Sequence, residues 1–330
     1  MLNITDNIHI ERMVMNMMNI RAIGNKMGIG SNDQTMGRAM ILLSTVGFGT
    51  IGAFSKFAYA SGVDASLLLA LRFLVAAVAL WLWFLISNRD AIRIGRKEFA
   101  ICAALGLAGY GIFSTLLFKA FESIPASMVS LLFFSYPVFV MLLDWITTRE
   151  RPEPQRWTTT LMILCGISVG VIGSLAGESM MGLLFATGGA VWYAVYVVAT
   201  RSLLRSLKPQ TVGLYVISFA ALGFWLMGGP IIPRLHLVSG WGWVIVLAIS
   251  LVSTVMALLS FYSGLDKLGS AAAAQIGTFE LIVSLSLAAF VLGEHLSLPR
   301  MLGAGFILVG IVMGQLKPAA QDECGEDLTC

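Results

Sequence analysis

Charge is scarce in this 330-residue chain. Asp, Glu, Lys and Arg make up 12% of it, against roughly 25% in a soluble domain. Hydrophobic residues make up 58%, more than a water-soluble fold of this size can hide, so the solvent over most of the chain must be lipid. No stretch is left for a separate soluble catalytic domain. Histidine is scarcer still: His9, His236 and His295 all fall outside the apolar runs. Intramembrane hydrolysis needs a Ser with a His, paired aspartates or a zinc-binding HExxH, and the sequence has none of these. A GxxxxGK[ST] nucleotide loop is missing too, which excludes nucleotide-driven pumping. The four cysteines form no CxxC. Cys102 and Cys165 sit in apolar runs, and Cys324 and Cys330 in the polar tail, so neither a metal site nor a cofactor is expected. A formal charge of +3 gives no reason to expect nucleic acid, and no catalytic residue is expected. Residues 1–38 lack the compact apolar run and cleavage site of a signal peptide. They read as a cytoplasmic tail, with Met36 and Met40 as further candidate starts.

What is there is a succession of apolar runs, each near the 20 residues that cross a bilayer as a helix. Ten are predicted, at 40–60, 65–86, 99–120, 126–147, 157–175, 180–200, 211–229, 241–264, 270–293 and 299–316. Pro152 and Pro154 separate the fourth and fifth, and Pro230 and Pro233 follow the seventh. If both termini are cytoplasmic, sixteen of the 21 Lys and Arg fall in inside segments, and only Arg234 and Arg300 fall in outside loops. The positive-inside rule therefore orients the chain in a cytoplasmic (inner) membrane.

The sequence also repeats itself. Shifted by 144 residues, 124–170 lies over 268–314 without a gap. Leu143 then meets Leu287, Glu150 meets Glu294, Arg156 meets Arg300, and Gly166 and Gly170 meet Gly310 and Gly314. Each half has five predicted helices, an odd number, so the second copy enters the membrane from the opposite face. The expected fold is all-α, ten transmembrane helices as two inverted five-helix repeats. Residues 39–177 and 178–317 form the halves, with tails at 1–38 and 318–330.

Several segments resemble EamA-type drug/metabolite transporters: FSKFAYASGVDASLLLALRF at 54–73, SIPASMVSLLFFSYPVFVMLLDWITTRE at 123–150, its counterpart at 267–297, and GAGFILVGIVMG at 303–314. The resemblance covers about 38–316. It implies a ten-helix carrier of small metabolites, amino acids among them, often exporting them. The family often has Glu-Pro in helix 9, where this chain has Glu280-Leu281. That removes proline as the source of a kink there.

An ionisable group at membrane depth costs about 2.5–3.5 kcal/mol on insertion scales, so it calls for a function. Glu280, near the middle of helix 9, is the first candidate, as an ammonium partner or proton carrier. The 144-residue shift sets Tyr136 of helix 4 opposite it, so the two are expected to line one cavity. Arg72 in helix 2 is a candidate carboxylate clamp or a packing residue. Trp192 and Tyr196 share a face of helix 6 and suit a planar or cationic ligand. Gln275 and Ser114 are lesser candidates. A carboxylate and a guanidinium in one cavity suit a zwitterion such as an amino acid. Lys56, Lys119, Asp64 and Glu122 lie near helix ends, where charge is cheap. Glu150 and Glu294 are expected to cap the following helix or pair with Arg156 and Arg300. The GxxxG pairs 166/170 and 310/314 fit either a bundle interior or a homodimer face. The expected partners are thus a small-molecule solute, the lipid bilayer and a possible second copy. A channel or a non-transporting scaffold is the alternative.

Overall fold

The computed structural model of the chain describes residues 29–87, 89–149, 151–152, 154–172, 178–200, 207–227, 231–268, 273 and 276–315. Gln275, Glu150, Cys324 and Cys330 lie outside the described residues. The described chain is almost wholly helical. Among the described residues, seven helical runs are long and apolar enough to cross a membrane: Asp33–Ala60, Ala65–Ser87, Arg96–Ser123, Ala126–Thr147, Met180–Thr200, Pro209–Met227 and Gly240–Leu265. Arg156–Val171, Phe279–Phe290 and Leu298–Met313 are apolar but shorter. Large apolar side chains such as Leu226, Phe290 and Ile86 point outward, as a lipid-facing surface requires.

The runs are less regular than their hydropathy. The first is α1 (Ile29–Gly49) and α2 (Ile51–Ala60), beginning well before the expected residue 40. The added turns are polar, and Asp33 pairs there with Lys267. Next come α3 (Ala65–Ser87), then α4 (Arg96–Ala104) and α5 (Gly111–Ser123), joined by a π-helical segment, Leu105–Tyr110. Helix 4 is broken into α6 (Ala126–Phe133) and α7 (Tyr136–Thr148). α8 (Pro154–Ile172), α9 (Met180–Thr200) and α10 (Pro209–Met227) follow. Helix 8 is α11 (Gly240–Ser250) and α12 (Ala257–Leu268) around a second π segment, Leu251–Met256. The chain continues in α13 (Phe279–Phe290) and α14 (Leu298–Gln315).

These irregularities recur in both halves. The third helix of each half carries a π segment. The fourth helix of each half breaks at matching positions, Phe134 and Thr278, separated by the 144-residue shift. In helix 4 the cause is visible. Pro137 has no N–H, and Ser135 and Val138 donate instead three residues back, to Leu132 and Ser135. Helix 9 breaks without a proline, beside Gly277 and Thr278, a small-residue pair of the kind that kinks helices. Helix 9 is therefore interrupted at Thr278 without a proline. The broken helices are tied together by a 2.6 Å hydrogen bond between Ser130 and Ser284. Thr50, at the α1–α2 break, bonds Ser253 of the second π segment at 2.7 Å.

Glycines set the closest helix contacts. A Cβ on Gly166 would lie 2.5 Å from the Gly303 carbonyl oxygen, and one on Gly303 would lie 2.4 Å from that of Gly166. Gly170 meets Leu131, and Gly310 meets Met162 and the Thr159 carbonyl. These glycines thus serve packing within the chain, chiefly of α8 on α14.

Candidate functional site

The distorted segments converge on an aromatic wall. Tyr110 ends the first π segment, and its ring centroid lies 4.5 Å from that of Phe113 on α5 and 5.5 Å from that of Tyr196 on α9. Phe113 in turn meets Tyr193 at 5.0 Å, and Tyr193 meets Tyr136 at 5.0 Å and Phe133 at 5.2 Å. Most of these contacts are edge-to-face, the arrangement that ring quadrupoles favour. Five elements, the first π segment, α5, α6, α7 and α9, supply the rings, so the wall is a tertiary feature rather than a stripe on one helix.

Glu280 stands in the first turn of α13. Tyr110, Tyr136 and Tyr193 lie within electrostatic range of its carboxylate. Among the described residues no side chain forms an ion pair or hydrogen bond with it. It is partly exposed. The tyrosines are likewise only partly buried. No described residue accepts from or donates to the hydroxyls of Tyr110, Tyr136 or Tyr193. The carboxylate and the three hydroxyls thus have no described partner within the chain.

Arg72 is held differently. Its side chain is 2% exposed. Its Nε donates to Thr254 Oγ1 at 2.8 Å, and its guanidinium carbon lies 5.1 Å from the ring centroids of both Phe73 and Phe118. Thr254 also donates to the Ile249 carbonyl, five residues back, at 3.1 Å. The π segment thus presents Thr254 to Arg72. Tyr110 packs edge-on against Phe73, with ring centroids 5.4 Å apart.

The remaining candidates fall into place around this. Tyr136 and Tyr196 join one aromatic cluster through Tyr193. Trp192 donates from Nε1 to the Ala108 carbonyl at 2.9 Å, fixing α9 to the first π segment. Ser114 is buried on α5. Tyr110, Phe113 and Phe133 were not anticipated. The signal for the first two is their three-residue spacing behind Gly106 and Gly109.

A polar network closes one end of the bundle. Glu294 accepts from the amides of Ala126 (2.6 Å) and Ser127 (3.0 Å) and from Ser127 Oγ (2.6 Å). It therefore caps α6 rather than the helix that follows it. The α6 N-terminus offers unsatisfied amides and a positive dipole end. Arg300 bonds Ser127 and Glu178, and Lys56 donates to the Ile124 carbonyl at 2.7 Å. At the same end Asp64 accepts from Leu67 and Ser66 and pairs with Arg234. Elsewhere an apolar cleft of about 460 Å³ opens between α3 and α10, lined by Leu74, Trp81 and Trp225, away from Glu280.

A bundle this apolar, with seven spanning runs and a carboxylate inside, is an integral, multi-pass membrane protein. Within that class its kinship is specific. The chain belongs to the EamA-like transporter family, which matches it twice, over residues 35–172 and 180–314. It is 26% identical over 303 residues to the "Uncharacterized transporter YcbK" of Bacillus subtilis (strain 168), covering 87% of this chain and 96% of that one. An "Uncharacterized transporter" of Archaeoglobus fulgidus is 26% identical over 286 residues, covering 84% and 95%. A solved structure, "Crystal structure of protein", shares the fold with a TM-score of 0.56 at 21% identity, covering 86% of this chain and 97% of that one. The chain is thus a membrane transporter, with a small-molecule solute and a lipid environment implied.

Proposed function

We propose that the chain is a secondary carrier that moves a small amine-bearing metabolite, an amino acid or related solute, out across the cytoplasmic membrane by alternating access. The seven long runs and three shorter apolar helices make ten membrane helices, arranged as two inverted five-helix halves with both termini in the cytoplasm. The solute binds at Glu280 against the wall of Tyr136, Tyr193 and Tyr196, with Arg72 held on Thr254. The halves then rock about it. Protons carried at Glu280 supply the energy. The observation that carries this reading is the Glu280 carboxylate, with no described ion-pair or hydrogen-bond partner, two residues past a break that matches the break beside Tyr136. A carboxylate left unpaired at membrane depth is costly, and a transported cation or proton is what offsets that cost.

The test is counterflow. Purified protein in liposomes preloaded with an unlabelled amino-acid and amine panel is given labelled solute outside. A carrier accumulates label transiently against its gradient, in a saturable manner. Flux that never overshoots identifies a channel, and absence of flux with every solute favours a scaffold.

A further inference from the structure

We propose that Glu294 is a latch between the two halves of the chain, at the end of the bundle that the proposed topology places outside, and that its release lets that end open. The latch takes its purpose from the carrier reading and its existence from its own contacts. Glu294 lies in the second of the two family-matched segments, and its donors lie in the first. They are the Ala126 amide, the Ser127 amide and the Ser127 hydroxyl, at 2.6, 3.0 and 2.6 Å. Arg300, also of the second half, reaches Ser127 Oγ at 3.3 Å and is steadied by Glu178 at 3.0 Å. Further along α6, Ser130 meets Ser284 of α13 at 2.6 Å. The turn before α6 is pressed by α9, since a Cβ on Gly182 would lie 2.5 Å from Cγ2 of Ile124. The second half thus closes on one short helix of the first. Arg234 also crosses to Asp64 at this end, but a partly exposed ion pair adds little. The chemistry of the Glu294 contact makes it releasable. Its carboxylate holds amides and a hydroxyl, and such bonds exchange for bonds to water at small net cost. A cavity of about 370 Å³, lined by Lys56, Ser123, Ile124, Pro125, Leu292 and Glu294, gives water room beside it. The α8–α14 contact joins the halves too, but by glycine backbones in direct touch, which water cannot replace. That seam stays while the latch opens.

Distances between spin labels test this without any solute. The full chain, with its four native cysteines replaced by serine, carries nitroxides on Glu122→Cys and Leu298→Cys, exposed positions in opposite halves near the latch. In lipid nanodiscs, pulsed electron resonance should show one dominant short distance while Glu294 is present. Glu294→Ala should raise the long-distance fraction at least threefold, and Ser127→Ala, which removes one bond of the three, should raise it by less. Glu294→Gln, which keeps one acceptor oxygen, covers the case in which Glu294→Ala fails to fold, and should raise the fraction at least 1.5-fold. A second label pair, Glu122→Cys with Ala60→Cys, lies within the first half and should keep its distance in every variant. An unchanged distribution across the latch in a folded Glu294 variant overturns the proposal. So does equal broadening of both pairs, which marks general loosening. Because distances are read without flux, the two readings fail separately. Opening that depends on Glu294 supports the latch even if counterflow fails for every solute. Unchanged distances beside working counterflow sink the latch and leave the carrier standing.

Discussion

Tyr136 and Glu280 occupy matching positions in the two halves of the chain, each within two residues of a helix break, and the fold brings them within electrostatic reach of one another. A repeat detected as a 144-residue shift in the sequence thus returns as a pair of matching helix breaks, at Phe134 and Thr278.

The α8–α14 contact is set by backbone touching backbone. Gly166→Ala would drive a Cβ to 2.5 Å from the Gly303 carbonyl oxygen, whereas a Cβ on Gly305 meets nothing within 4 Å. Gly166→Ala should therefore destabilise the protein by about 1–3 kcal/mol, as overpacking does, and Gly305→Ala should be close to neutral. Thermal unfolding in detergent, read by intrinsic fluorescence, compares the two.

Glu294 satisfies three donors at the start of α6. Glu294→Ala should cost about 1–2 kcal/mol, the range for losing an N-cap acceptor. Ser127→Ala removes one of the three bonds and should cost less. Hydrogen exchange should show the loss concentrated in the first turn of α6; uniform loosening of the bundle would contradict it.

Arg72 should not tolerate lysine. Lys cannot offer an Nε donor to Thr254 or a planar cation to Phe73 and Phe118, so Arg72→Lys should lose about 1–2 kcal/mol of stability and lower transport. Thr254→Val should reproduce the lost hydrogen bond while leaving the stacking. Unfolding midpoints of the two variants and wild type give the comparison.

The Asp64 turn should loosen in acid. Burial pushes its carboxyl up, but the Leu67 amide, the Ser66 hydroxyl and Arg234 outweigh this and hold it below the usual carboxylate range. A folded-state value below the unfolded one adds stability above the unfolded value, and that stability is lost as the pH falls through the folded one. Exchange protection at the start of α3 should therefore fall below about pH 4 in wild type and be flat with pH over that range in Asp64→Asn.

Hydropathy made the spans legible, since long apolar runs have one stable place. Glu280 was legible for the converse reason: a short acidic side chain inside such a run cannot reach water. Pro137 marked the break in helix 4. The break at Thr278 had no such mark, because glycine and threonine permit a kink without requiring one. The π segments were not legible either. They depend on how Gly106 fits against Val216 and Phe219 and how Thr254 reaches Arg72 and Ile249, which are tertiary contacts. Tyr110 was hidden with them, since only the π segment turns it toward the wall. Trp192 looked like a ligand-stacking residue, and its indole is engaged by the Ala108 carbonyl.

The central claim is that Glu280 couples solute to proton movement, and flux in liposomes under an imposed pH gradient tests it most directly. Wild type and Glu280→Gln are reconstituted at equal density, and amine uptake is followed with and without the gradient. The account predicts gradient-stimulated flux in wild type and none in the variant. Equal, gradient-stimulated flux in both would contradict it and leave Glu280 a structural residue.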